Sequence, residues 1–187
     1  MAQNKILNVH NRQEFRDWLT KNSLIEKECF LVLKRGKPTD PKVFYYLDAV
    51  EEALCFGWID SVLKNIDGKM VQRFSPRTKN SPWSALNRER VKRLIKLGLM
   101  TEEGLKVFPK EELVDDVEVI NALKEAECYG KFLEFPVLYQ KIRIYNVSFY
   151  KTIDKKMYKK SLDHLIEKTQ KGEMFGQWND YGRLLSY

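Results

Sequence analysis

The spacing of apolar residues switches repeatedly between helical and strand periods in the first hundred positions, and each switch marks an element. Phe15, Trp18 and Leu19 recur at helical spacing behind Asn11 and Glu14. That pair reads as a capping box, with Asn accepting from a first-turn amide and Glu reaching back. The helix is expected to end near Asn22 or Ser23. Cys29-Phe30-Leu31-Val32-Leu33 is a short apolar run of strand formers, broken by Gly36-Lys37-Pro38. Leu47, Val50 and Leu54 then fall at i, i+3, i+7, with Asp48, Glu51 and Glu52 between them. This predicts an amphipathic helix over 46–56, acids outward, closed by Gly57. Trp58–Leu63 and Met70–Phe74 flank Asp67-Gly68, a two-residue hairpin signal.

Ser81-Pro82 reads as the next helix start, Ser as N-cap and Pro at the first helical position. Val91, Leu94, Ile95 and Gly98 mark one face of that helix, and Arg88, Lys92 and Lys96 form a stripe on another. Thr101, with Glu102 and Glu103 behind it, caps a further short helix. Phe108-Pro109-Lys110-Glu111-Glu112 reads as a boundary. Beyond it Val117, Ile120 and Leu123, and later Tyr158, Leu162, Leu165, Ile166 and Thr169, repeat at helical spacing. The aromatic-rich 132–150 stretch fits helix or strand equally. The tail around Phe175, Trp178, Tyr181 and Leu184 is apolar enough to dock onto the body.

The pattern predicts an α+β fold: about three short antiparallel strands covered by helices, over 1–107, followed by a mainly helical region over 108–187. The strands do not alternate regularly with helices, which disfavours a doubly wound parallel sheet.

Composition narrows the chemistry. With 187 residues, 43% hydrophobic and 12% aromatic, the chain can bury a substantial core. No apolar run reaches membrane-spanning length, and residues 1–15 lack the apolar stretch of a signal peptide, so a cytoplasmic location is expected. Cys29, Cys55 and Cys128 form no CxxC pair, and His10 and His164 have no metal-ligand spacing. Neither a phosphate-binding loop nor GxGxxG occurs. No cofactor and no metal are therefore expected. Cys55, in an apolar run far in sequence from either histidine, reads as a small buried hydrophobe rather than a nucleophile.

Charge is local. Residues 69–96 carry nine Lys or Arg and one Glu, a net +8, whereas the whole chain carries +7. Arg73, Arg77, Lys79, Arg88 and Lys92 make this segment a candidate anion site, aided by the free amides of a helix starting near Ser81. The alternative is a solvated helix face with a Glu89–Arg93 pair. Trp83 beside arginines suits stacking on a ligand. Trp58, in an apolar run, suits the core better. Asp60 either orients Arg73 or Arg77 across the hairpin or acts as a general base. Gln72 and Asn87 supply neutral donors and acceptors. The candidate ligand-binding set is Trp58, Asp60, Lys64, Gln72, Arg73, Arg77, Ser81, Trp83, Asn87 and Arg88, with no catalytic residue assigned.

Four strings, AVEEALCFGWIDSVLK (49–64), QRFSPR (72–77), SPWSALNRERVKRLI (81–95) and GLMTEEG (98–104), occur in order at close spacing. Together they resemble the bacterial YdeI/OmpD-associated family, also called the bacteriocin-protection family, over roughly residues 11–105. The resemblance implies an α+β protein connected with tolerance of bacteriocins and cationic antimicrobial peptides. It transfers no catalytic residue and no cofactor, and the C-terminal half departs from the family pattern. A segment of net +8 repels a cationic peptide, so the implied partner is an anionic small molecule or an acidic macromolecule. Two other classes remain: a nucleic-acid-binding module, for which a basic stripe with a tryptophan is the minimal footprint, and an enzyme on a phosphorylated or carboxylated small molecule, with Asp60 as base and Arg73 or Arg77 as clamp.

Overall fold

A computed structural model describes residues 6–187, so residues 1–5 of the stretch read for a targeting signal lie outside it. The fold is α+β. Among the described residues it has eight α-helices and one three-stranded antiparallel sheet, in the order α1 (Arg12–Asn22), β1 (Cys29–Leu31), α2 (Tyr46–Cys55), β2 (Trp58–Ile66), β3 (Lys69–Pro76), α3 (Ala85–Lys96), α4 (Glu102–Val107), α5 (Val117–Glu125), α6 (Tyr129–Glu134), α7 (Val137–Ser148) and α8 (Lys155–Gln170). Two compact units result: 6–82 with 90–109, and 83–89 with 110–187.

In the first unit the sheet order is β1-β3-β2. The hairpin turns at Asp67 and Gly68, φ +50° and +78°, the positive pair that a two-residue turn demands. Between Asp60 and Leu63 the register shifts: Asp60 faces Phe74 and Leu63 faces Gln72, so Ser61 and Val62 stand opposite Arg73 alone. This is a β-bulge. The Gln72 side chain holds it from the neighbouring strand, donating from Nε2 to Ser61 O at 3.0 Å and toward Val62 O at 3.5 Å.

Helix α2 corrects the amphipathic reading. Every residue from Leu47 to Cys55 is buried, the acids included. Glu51 is 0% exposed and Glu52 1%. Three arginines neutralise them: Arg12 meets Glu51 at 2.8 Å and also grips Glu52, Arg16 meets Glu52 at 2.7 Å, and Arg93 meets Glu51 at 2.9 Å. Buried carboxylates are tolerated only when paired in this way. The apolar side of α2 shares a core with Phe15, Leu19, Phe30, Leu31, Trp58, Val71 and Phe74. Phe15 lies 5.7 Å from Phe74 and 5.8 Å from Phe44.

Helix α4 is pressed against the end of α2. Thr101 caps α4 by accepting from Gly104 N, and its own Oγ1 and backbone N–H both donate to Cys55 O, at 2.7 and 3.1 Å. A Cβ on Gly104 would sit 2.2 Å from that same oxygen, so only glycine permits the approach.

The second unit is helical. Val119, Leu123, Phe132, Tyr139, Ile142, Val147, Leu165 and Trp178 form its core. The 132–150 stretch is helical, broken at Pro136 between α6 and α7. The tail docks, with Trp178 and Leu184 buried.

Candidate functional site

Apart from the charge network on α2, the first unit brings a set of polar side chains together at the bulge. Tyr46, the first residue of α2, donates its hydroxyl to Asp60 Oδ2 at 2.6 Å. Burial, followed by the Asp60 charge and this hydrogen bond, pushes the Tyr46 phenol above its ordinary value. The nearby Arg90 and Arg35 charges pull it the other way. Arg35, in the loop after β1, lies over the Tyr46 ring at 4.0 Å and donates from Nη2 to Gln72 Oε1 at 2.5 Å. One corner thus holds a stacked, exposed guanidinium, a phenol, a carboxylate and an amide. The Gln72 amide is fully committed: its oxygen accepts from Arg35 and its nitrogen braces the bulge.

Asp60 and Gln72 are the two expected site residues that this corner brings together. Arg73 is not with them. Strand alternation sends it to the opposite face, where its Nε meets Glu28 at 2.6 Å and its Nη1 donates to Ser61 Oγ at 3.1 Å. The expected Asp60–Arg73 pairing is therefore replaced by Asp60–Tyr46 and Arg73–Glu28. Arg77 is buried, donating from Nη1 to Pro82 O at 3.0 Å. Lys64 is exposed, with its ammonium 5.6 Å from the Phe30 ring.

Trp58 is a core residue, 1% exposed, and its indole donates to Ser23 O at 3.1 Å. It meets Trp18 edge-on at 5.7 Å. Its place on a ligand face is corrected by the facing of β2: Trp58 begins the strand on the side covered by α1. Ser81 does not cap a helix. Its Oγ accepts from Thr78 N at 2.9 Å in a tight turn, and Ser84 caps α3 instead by accepting from Asn87 N. The helix starts three residues later than Ser81-Pro82 suggests because the Thr78–Ser81 turn uses Ser81 first. Trp83, Asn87 and Arg88 stand in the second unit, where Arg88 Nη1 donates to Glu111 O at 2.5 Å. The expected Glu89–Arg93 pair is also redirected, since Arg93 is held by Glu51.

Arg35 and Tyr46 were not among the residues the sequence singled out. The signal was present in Lys34, Arg35, Lys37 and Lys42, four cations within nine residues between a strand and a helix. Among the described residues no group of His, Cys, Asp and Glu has the arrangement of a metal site, and no helix is long and apolar enough to cross a membrane.

A family model described as a domain of unknown function, DUF8412, matches residues 7–107. The chain belongs to the DUF8412 family. That span runs from just before α1 to the end of α4 and contains the Arg35–Tyr46–Asp60–Gln72 corner. No curated protein and no solved structure matches the chain.

Proposed function

We propose that the first unit binds an anionic ligand or an acidic partner, without a cofactor, and that Arg35 is the cation that meets it. One observation carries this reading. Arg35 is exposed, fixed by stacking on Tyr46, and among the described residues its one hydrogen-bonding partner is the neutral Gln72. Arg12, Arg16, Arg73 and Arg93 each spend their charge on an internal carboxylate. A guanidinium held in place but not neutralised is prepared for a carboxylate or phosphate, because little side-chain freedom remains to be lost. Asp60, anchored by the hydroxyl of the ring on which Arg35 stacks, supplies an acceptor in the same corner and favours an anion that also carries a hydrogen-bond donor.

The cellular role follows the YdeI/OmpD-associated resemblance: tolerance of bacteriocins and cationic antimicrobial peptides, exerted through an anionic intermediary because the basic protein repels the peptides themselves. Calorimetric titration with inorganic pyrophosphate and with a short DNA duplex, each at two salt concentrations, tests the binding. Saturable pyrophosphate binding supports the reading. A duplex isotherm with a steep salt slope assigns the chain to nucleic acid instead. Absence of binding to either probe rejects the anion site.

A further inference from the structure

The second unit contains a buried cation that meets no carboxylate among the described residues. Arg143, on α7, is 7% exposed. Its guanidinium carbon lies 5.1 Å from the Tyr139 ring and 4.5 Å from the Phe175 ring. Those rings meet edge-to-face at 6.2 Å, Trp178 closes on Tyr139 at 5.7 Å, and His164 meets Phe175 edge-on at 4.5 Å. Arg143 Nε is sealed from solvent without a hydrogen bond. Burial lowers the Arg143 pKa, and the one group that favours its charged form is the Tyr139 phenol.

Burying a charge without a carboxylate is costly, and ring faces offset only part of that cost. A guanidinium serving only as packing would be improved by an apolar residue of similar size. The chain instead makes room for it. Gly176 has φ +67°, and a Cβ there would stand 3.1 Å from Nη2 and 3.2 Å from Nη1. Only glycine leaves the ends of the fork uncrowded. Nε is the sealed end of the guanidinium, and the Nη1–Nη2 fork is the end turned toward Gly176.

We propose that Arg143, walled by Tyr139 and Phe175 and left open by Gly176, is a socket for a small oxyanion, a carboxylate or a phosphate group held by the Nη1–Nη2 fork. This site is independent of the Arg35 corner, since all of its residues lie in the second unit. The aromatic walls select an oxyanion on a compact or apolar body over a heavily hydrated one.

The test uses the full-length protein with acetate, inorganic phosphate and chloride as probes, read by the Arg143 Nε–H resonance and by the thermal midpoint. The expected result is a saturable shift of that resonance with acetate or phosphate, whichever is the preferred source, and none with chloride. Arg143→Met should fold with an unchanged or higher midpoint in probe-free buffer and lose the midpoint rise that the probe gives the parent. Gly176→Ala, which crowds the fork while keeping the arginine, should weaken probe binding at least tenfold. An Nε–H resonance unmoved by either oxyanion overturns the socket, as does an Arg143→Met protein that keeps the full probe response. If Arg143→Met fails to fold, the resonance titration and Gly176→Ala decide alone.

Discussion

Tyr46 donates its hydroxyl to Asp60 at 2.6 Å, and the same ring carries the Arg35 guanidinium on its face. One side chain therefore positions both the acceptor and the cation of the proposed site. Tyr46→Phe keeps the stacking surface and removes the hydrogen bond. A bond to a charged acceptor contributes about 1.5–3 kcal/mol, so urea denaturation should show a loss in that range. Pyrophosphate binding should survive because Arg35 keeps its ring.

Glu51 gives a sharper stability prediction. It is fully buried between Arg12 and Arg93. Glu51→Gln should cost about 3–5 kcal/mol, because the half-buried Arg93 loses its carboxylate while Arg12 keeps only Glu52 and Asp48. The parent's denaturation midpoint should change little with added salt over this pair, since buried charges are poorly screened. A double-mutant cycle of Arg93→Met and Glu51→Gln, read by chemical denaturation, measures the coupling.

Gly104 tests the close approach of α4 to α2. A methyl group there would stand 2.2 Å from the Cys55 carbonyl oxygen, with Thr101 gripping the same atom. Gly104→Ala should destabilise by about 3 kcal/mol or more, since the neighbour is backbone and must move bodily. Thermal denaturation checks it, and Gly68→Ala serves as a contrast, since it strains the turn without a clash.

Cys55 links burial to pH. Burial, with Glu52 as the next cause, pushes its thiol up to about 12. The folded protein holds this proton more tightly than the unfolded chain. The associated stability is fully present below the ordinary thiol value of ~8.5 and is lost as pH rises from there toward 12. Alkylation by iodoacetamide at pH 9 should thus be slow in the native protein and fast after unfolding. Rapid native labelling of Cys55 would contradict its burial.

Much of the fold was legible from local signals. The Asn11–Glu14 cap, the Asp67-Gly68 turn and the α2 spacing each depend on residues near in sequence, and each appears where the pattern puts it. What escaped depends on distant partners. Asp48, Glu51 and Glu52 look solvent-facing until Arg12, Arg16 and Arg93 are folded against them. The charge of 69–96 looked like one patch, but strand alternation and internal carboxylates distribute it: Arg73 goes to Glu28 and Arg93 to Glu51. Of the site, Asp60 and Gln72 were visible. Arg35 and Tyr46 were not, because only the bulge and the start of α2 bring them to the same corner.

The most direct test compares two single substitutions in one calorimetric titration with pyrophosphate. Arg35→Ala should weaken binding at least tenfold, about 1.4 kcal/mol, whereas Arg73→Ala, on the opposite sheet face and already paired with Glu28, should bind like the parent. Unimpaired binding by folded Arg35→Ala, or loss of binding confined to Arg73→Ala, would contradict the account.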